Sequence, residues 1–166
     1  MRDMDPSLVD AAQRGDRGAL AALFVEYGPT VHGVLLACVP ATEADDLMQD
    51  VLVTAMEKLG TLREASSFGA WICTIARNRA TDYLRTRKPS LELTEEMGAR
   101  EDVRAEAEQV LAAIRGLPEA YRETLVLRLV EGMTGPEIAE RVGMTHESVR
   151  VNLHRGMKLL REKLEE

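Results

Sequence analysis

The sequence predicts an all-α protein, two small helical domains joined by an acidic linker. Three observations carry this. Apolar residues recur at the i, i+3, i+4 spacing of a buried helical stripe almost throughout. No stretch shows the period-two alternation of a half-buried strand. Residues 89–105 are acidic and poor in large apolar side chains, and they divide the pattern into blocks at 1–88 and 106–166.

The helices follow in chain order. Leu20, Leu23 and Phe24 mark the first stripe. Leu47, Val51 and Ala55 form the next, widened by Leu52, Met56 and Leu59. Thr42, with Asp45 three residues on, reads as its N-cap, and Gly60 as its end. Ser66 or Ser67 can cap a helix from about Phe68. Its stripe runs through Phe68, Trp71, Ile72, Ile75 and Ala76, then Ala80, Tyr83 and Leu84, and Pro89 ends it. In the linker, Leu91 and Leu93 are the apolar residues that could anchor it, and its glutamates also suit a solvated helical face. A second helical block runs from about Glu106 to Leu164. It is punctuated at Gly116-Leu117-Pro118, at Gly132 to Pro136 and at Gly143-Met144-Thr145.

Composition narrows the function classes. The chain has 166 residues, 45% of them hydrophobic, enough for a packed core rather than wholesale disorder. No uninterrupted apolar run approaches the roughly 20 residues of a membrane span. The run Val31–Val39 is broken by His32 and Gly33 and stops at Pro40, so no membrane insertion is expected. Met1–Pro6 carries Arg2, Asp3 and Asp5 and lacks the apolar core of a secretory signal. Two cysteines, Cys38 and Cys73, exclude a disulfide scaffold and a cysteine-built zinc site. They are expected to be buried free thiols in a reducing, cytoplasmic setting.

The net charge of −7 argues at first against nucleic acid. The charge is segregated, however. Residues 77–88 hold Arg77, Arg79, Arg85, Arg87 and Lys88 against Asp82 alone. Residues 145–164 hold Arg150, Arg155, Lys158, Arg161 and Lys163 against Glu147 and Glu162. The acid gathers between them, in Glu92, Glu95, Glu96, Glu101, Asp102, Glu106 and Glu108.

Three constellations carry chemistry. At the C-terminus, Pro136 to Val142 reads as a short helix with Ile138, Ala139 and Val142 on one side. Gly143 breaks it, Met144 points inward, and Thr145 caps a second helix continued by Ser148, Val149, Leu153 and Leu160. This is a helix-turn-helix layout, whose second helix enters a DNA major groove. Its exposed positions are expected to be His146, Glu147, Arg150, Val151, Asn152, His154, Arg155 and Lys158. Arg150 can bond a guanine edge or a phosphate, Asn152 can read adenine, and Arg155 and Lys158 suit phosphates. A helical hairpin with a solvated basic face fits the same pattern.

The second constellation sets Phe68, Trp71 and Tyr83 beside Arg77, Asn78, Arg79, Arg85, Arg87 and Lys88. Rings among cations suit a single strand, on whose bases the rings stack. The same spacing puts Trp71 on a core stripe. The third is Asp45, Asp46 and Asp50 with Gln49. Asp46 and Asp50 share a helix face and could hold Mg²⁺, complement a helix N-terminus, or form an acidic docking face. No histidine sits with a nucleophile and an orienting acid, and there is no Gly-rich phosphate loop. No cofactor or metal and no enzymatic activity are expected.

Together these blocks resemble the extracytoplasmic-function (ECF) group of bacterial sigma factors, over roughly residues 15–164. Ala44 to Val51 looks like the region 2 helix that grips the β′ clamp of RNA polymerase. Ser67 to Ile72, Ile75 to Asn78 and Asp82 to Arg85 look like the helix that opens and reads the minus-ten element. Leu117 to Glu123, Glu137 to Ala139, Val149-Arg150 and Leu153 to Arg155 look like region 4, which reads the minus-thirty-five element as duplex and docks on the β flap.

The resemblance implies a transcription initiation subunit, usually held by an anti-sigma factor. Asp45, Asp46, Gln49 and Asp50 would bind core polymerase. Leu62, Arg63, Glu64, Ser66, Trp71, Arg77, Asn78, Arg79 and Arg85 would contact the minus-ten element, with the loop Leu62–Ser66 accepting an unstacked base. His146, Arg150, Val151, Asn152, His154, Arg155 and Lys158 would contact the minus-thirty-five element. The chain departs from many relatives at Leu52, at Leu62-Arg63-Glu64, at Gly135-Pro136 and at Asn152, so base preferences are not carried over. A sigma-like decoy for an anti-sigma factor, a stand-alone helix-turn-helix repressor and a small Mg²⁺ enzyme are the rival readings.

Overall fold

The computed structural model describes residues 4–87 and 100–166, with side chains from 103 onward in the second stretch. The described residues form eight α-helices: α1 (Pro6–Gln13), α2 (Arg17–Leu36), α3 (Ala41–Lys58), α4 (Phe68–Thr86), α5 (Arg100–Arg115), α6 (Glu119–Leu129), α7 (Gly135–Val142) and α8 (His146–Leu164). Two 3₁₀ turns, Leu59–Thr61 and Ala65–Ser67, lie between α3 and α4.

In the first unit, α1 to α4, every helix packs on α2. That burial explains the composition of α2. It is 20 residues long, and with a mean hydropathy of 1.4 over an 18-residue window it is long and apolar enough to cross a membrane. Here it is a core helix, apolar on most faces because neighbours cover most faces. Leu23, Val31, Val34 and Leu35 are fully buried.

Helix α1, with two buried side chains, has no stripe long enough to announce it in the sequence. It is a capped helix all the same: Asp5 accepts from the Ser7 amide, Pro6 opens the first turn, and Val9 and Ala12 face the core. Helix α3 also differs from expectation. It starts at Ala41, with Pro40 at the N-cap and no side-chain cap bond, so Thr42 lies inside the first turn. Ser67 sits at the N-cap of α4 without a side-chain bond, because the preceding 3₁₀ turn sets the entry instead. Gly60 falls within the 3₁₀ turn that closes α3.

In the second unit, α5 starts at Arg100, ahead of the expected start near Glu106. Glutamate, alanine and arginine are strong helix formers, and in 100–108 local propensity prevails over the lack of large apolar residues. Lys88, Pro89, Leu91, Leu93 and the rest of 88–99 lie outside the described residues. The helix-turn-helix matches the sequence closely. Thr134 and Glu137 form a reciprocal capping box at the start of α7, Gly143 ends it at φ 72°, and Thr145 accepts from the Ser148 amide at the start of α8.

The two units share one continuous core. Helix α6 lies on α2, and α7 lies on α4 and α2. Backbones meet closely at Gly69, where an added Cβ would stand 2.5 Å from the Arg141 carbonyl oxygen. Arg141 itself bonds the Glu26 carbonyl at 3.0 Å and stacks 4.6 Å from the Tyr27 ring centroid. Arg115 reaches from α5 to the Val39 carbonyl at 3.2 Å and pairs with Glu108. Cys73 is buried in this region and Cys38 is half-buried. Burial pushes the Cys73 thiol up to about 12 and the Cys38 thiol up to about 11.

Candidate nucleic-acid interface

Helix α3 turns Ala44, Leu47 and Val51 inward, which leaves Asp45, Asp46, Gln49 and Asp50 exposed on one acidic face. The carboxylates are not gathered on a common point. Asp50 pairs with Arg79 of α4 at 2.6 Å, and Asp45 approaches His32 of α2 at 3.7 Å. Among the described residues, no group of three or more His, Cys, Asp or Glu side chains is arranged to hold a metal ion.

The loop after α3 carries Leu62, half-buried, and Arg63, Glu64 and Ser66, all exposed. Its backbone is closed by Leu62 N–H to Leu59 O and Ser67 N–H to Glu64 O. A residue the sequence reading missed also holds it. Gln13, in the last turn of α1, donates from Nε2 to the Leu59 carbonyl at 3.0 Å and the Leu62 carbonyl at 2.8 Å. The Asp5-Pro6 start and the Gly15 stop were the signals that could have revealed its helix.

Helix α4 buries Phe68, Ile72, Cys73, Ala76 and Ala80. Trp71 is half-buried, 5.7 Å from the Phe68 ring, which in turn meets Tyr27 edge-on at 4.9 Å. Asn78, Arg79 and Arg85 are exposed, and Arg85 lies 3.7 Å from Asp82. Arg77 is half-buried and engaged by Glu123 of α6 through a two-pronged ion pair. The basic helix therefore presents cations at its outer end while its middle is covered by the second unit.

On α8, His146, Arg150, His154, Arg155 and Lys158 are exposed as expected. Val151 and Asn152 are not. Both are half-buried, and Asn152 Nδ2 donates to the Ala120 carbonyl at 2.9 Å, so the amide is spent on holding α8 to α6. Periodicity alone put Asn152 on the outer face, whereas α6 packs further around α8 than the stripe suggested. An open groove of about 820 Å³ runs beside His154 and Lys158 and adds Arg128 and Arg161 to the basic lining, over Leu153 and Met157. Arg128 escaped the sequence reading because it lies on α6, outside both basic runs.

Comparison with known proteins agrees with this layout. Residues 23–89 match the family described as Sigma-70 region 2, and residues 107–160 match Sigma-70, region 4. The RNA polymerase sigma factor CarQ of Myxococcus xanthus is 30% identical over 165 residues, covering 92% of each chain. The ECF RNA polymerase sigma factor BldN of Streptomyces coelicolor is 29% identical over 166 residues, and this chain spans 63% of that relative's length. Among solved structures, CnrH in complex with the cytosolic domain of CnrY is similar at a TM-score of 0.69 and 26% identity, covering 97% of each chain. An acidic exposed α3, a basic α4 and a capped helix-turn-helix thus stand where both sigma regions match, and the chain belongs to the ECF group of RNA polymerase sigma factors, transcription initiation factors that are not enzymes.

Proposed function

We propose that this sigma factor divides its work between two lobes, residues 1–88 and 106–166, connected through 89–105. In this reading Asp45, Asp46, Gln49 and Asp50 dock on the polymerase β′ clamp, an acidic face meeting a basic one. The loop Leu62–Ser66 receives an unstacked minus-ten base, and Trp71, Arg77, Asn78, Arg79 and Arg85 contact the strands near it. His146, Arg150, His154, Arg155 and Lys158 contact the minus-thirty-five duplex, with Val151 and Asn152 supporting α8 from behind.

The observation that carries this reading is the shared edge of α3 and α4, where Asp50 and Arg79 are in contact. The acidic docking face and the basic DNA face adjoin there, so one polymerase-bound orientation serves both. Two weak DNA sites on one chain also reinforce each other once core enzyme holds them at the right spacing. Control by an anti-sigma factor is supported by a neighbour of like fold, the sigma factor RpoE solved in complex with the anti-sigma factor NepR from Bartonella quintana. A cytoplasmic location follows from work on RNA polymerase.

Run-off transcription with bacterial core polymerase on a promoter library tests the assignment. The wild-type chain is expected to select one minus-ten and one minus-thirty-five motif. Asp46→Lys should abolish selection of both, and Arg150→Ala should relax only the upstream motif. Full activity of Asp46→Lys would overturn the docking assignment.

A further inference from the structure

We propose that Gln13 is a positioning residue for promoter-base capture, its carboxamide setting the shape of the loop that receives the unstacked minus-ten base. The inference rests on the reading of Leu62–Ser66 given above. Gln13 touches no DNA in that reading. It acts through the backbone it holds.

The geometry is specific. One amide nitrogen carries two hydrogens, and Gln13 Nε2 is within hydrogen-bond distance of two carbonyls, those of Leu59 and Leu62. These carbonyls bracket the 3₁₀ turn Leu59–Thr61, the point at which α3 gives way to the loop. The turn is also closed from within, by Leu62 N–H to Leu59 O at 3.2 Å and by Thr61 Oγ1–H to Lys58 O at 2.6 Å. The Gln13 end is anchored in its turn. Helix α1 packs along α2 through buried Val9 and Ala12, and it also contacts the second 3₁₀ turn, Ala65–Ser67. Both ends of the loop are therefore referred to α1, and α1 to the core.

The physical reason for such a strut is pre-organisation. Unstacking a base costs a few kcal/mol. A loop that must also order itself at that moment loses affinity and discrimination, whereas a loop held in shape beforehand does not. Gln13 is exposed and the Leu59 carbonyl keeps its bond from the Leu62 amide, so if the carboxamide is lost only the Leu62 carbonyl, in an exposed hydrogen bond, has to turn to water. The consequence of losing it falls on loop shape rather than on overall stability.

The test is run-off transcription with core polymerase on a library randomised over the minus-ten and minus-thirty-five elements. It compares the wild-type chain with Gln13→Glu, Gln13→Arg and Ser66→Ala. Glutamate has the size of glutamine but no donor when ionised, and arginine restores donors. Gln13→Glu is expected to reduce base discrimination at one minus-ten position by about three- to tenfold. It should leave minus-thirty-five preferences and the melting temperature unchanged, and Gln13→Arg should recover most of the loss. A wild-type base profile in Gln13→Glu, or a uniform loss across all positions, overturns the proposal. If Ser66→Ala shifts one position and Gln13→Glu shifts none, the loop reading stands and the role of Gln13 falls. If neither shifts any position while transcription proceeds, the loop reading fails and takes the proposal with it.

Discussion

Arg77 and Glu123, from different halves of the chain, face each other fork to fork: Arg77 Nε donates to Glu123 Oε1 at 2.6 Å and Nη2 to Oε2 at 2.9 Å. A guanidinium grips a phosphate in the same bidentate way. With the halves packed together, a carboxylate of α6 holds the arginine proposed to contact the minus-ten strand.

This pairing predicts that the isolated factor binds promoter strands weakly, and that Glu123→Lys binds them better. Two cations facing each other would part α4 from α6. The apparent dissociation constant is the intrinsic one divided by the fraction of molecules that is open, so a shift towards opening lowers it and tightens binding. The expected gain is about tenfold for a single-stranded minus-ten oligonucleotide, read by fluorescence anisotropy. Small-angle scattering should give a radius of gyration near 15 Å for the wild type, about that of a compact chain of this length. It should give a larger value for Glu123→Lys. Equal affinities would show that the pair does not restrain DNA binding.

His32 adds a pH-dependent tie between the halves. Its Nδ1 lies 2.9 Å from Glu131 Oε1 of the second unit, and its Nε2 lies 3.7 Å from Asp45. The hydrogen bond to Glu131 raises the imidazole above its ordinary value near 6.5, against a smaller lowering from burial. A raised value means that the folded state binds the proton more tightly. The stabilisation is therefore complete below about pH 6.5, the unfolded value, and is lost as pH rises through the folded one. Thermal unfolding of wild type and His32→Gln should differ most near pH 5.5 and converge towards pH 8.5. A difference independent of pH would assign the effect to packing instead.

Gly69 sets how closely α4 and α7 approach. An alanine there would put a methyl carbon 2.5 Å from the Arg141 carbonyl oxygen, a backbone atom that cannot rotate aside. Gly69→Ala should therefore cost about 1–3 kcal/mol. For a chain of this size each kcal/mol lowers the melting temperature by about 2–4 °C. Calorimetry measures this directly, and an unchanged melting temperature would mean the two helices separate without cost.

What the sequence revealed follows from how local each signal is. The α7–turn–α8 unit was legible because its caps are written in adjacent residues: Thr145 before α8 and Gly143 at positive φ. The acidic face of α3 was legible because burial of Leu47 and Val51 forces their neighbours outward. Helix α1 was not. Eight residues with two buried side chains give too short a stripe for periodicity to show. The contact between the halves was not legible either. Arg77 with Glu123, Gly69 with Arg141 and His32 with Glu131 join residues 46 or more apart, and no periodic pattern encodes such pairs.

Arg150 and Asn152 provide the sharpest separation of role from position on α8. They are two residues apart, both polar, and both fit a helix that reads bases. Arg150 is exposed, with Glu147 at 4.0 Å as a loose partner, so its guanidinium can leave for a base edge. Asn152 is half-buried and bonded to the Ala120 carbonyl. Arg150→Ala should relax selectivity at one upstream base pair by about 1–3 kcal/mol and leave the fold unaffected. Asn152→Ala should do the reverse. It leaves the Ala120 carbonyl without that donor and should lower stability by about 1 kcal/mol, with the upstream base profile retained. Binding-site selection on duplex libraries with polymerase-bound factor, paired with thermal unfolding of the same variants, reads both quantities. A changed base profile in Asn152→Ala would mean that the amide leaves Ala120 on binding and reads DNA after all.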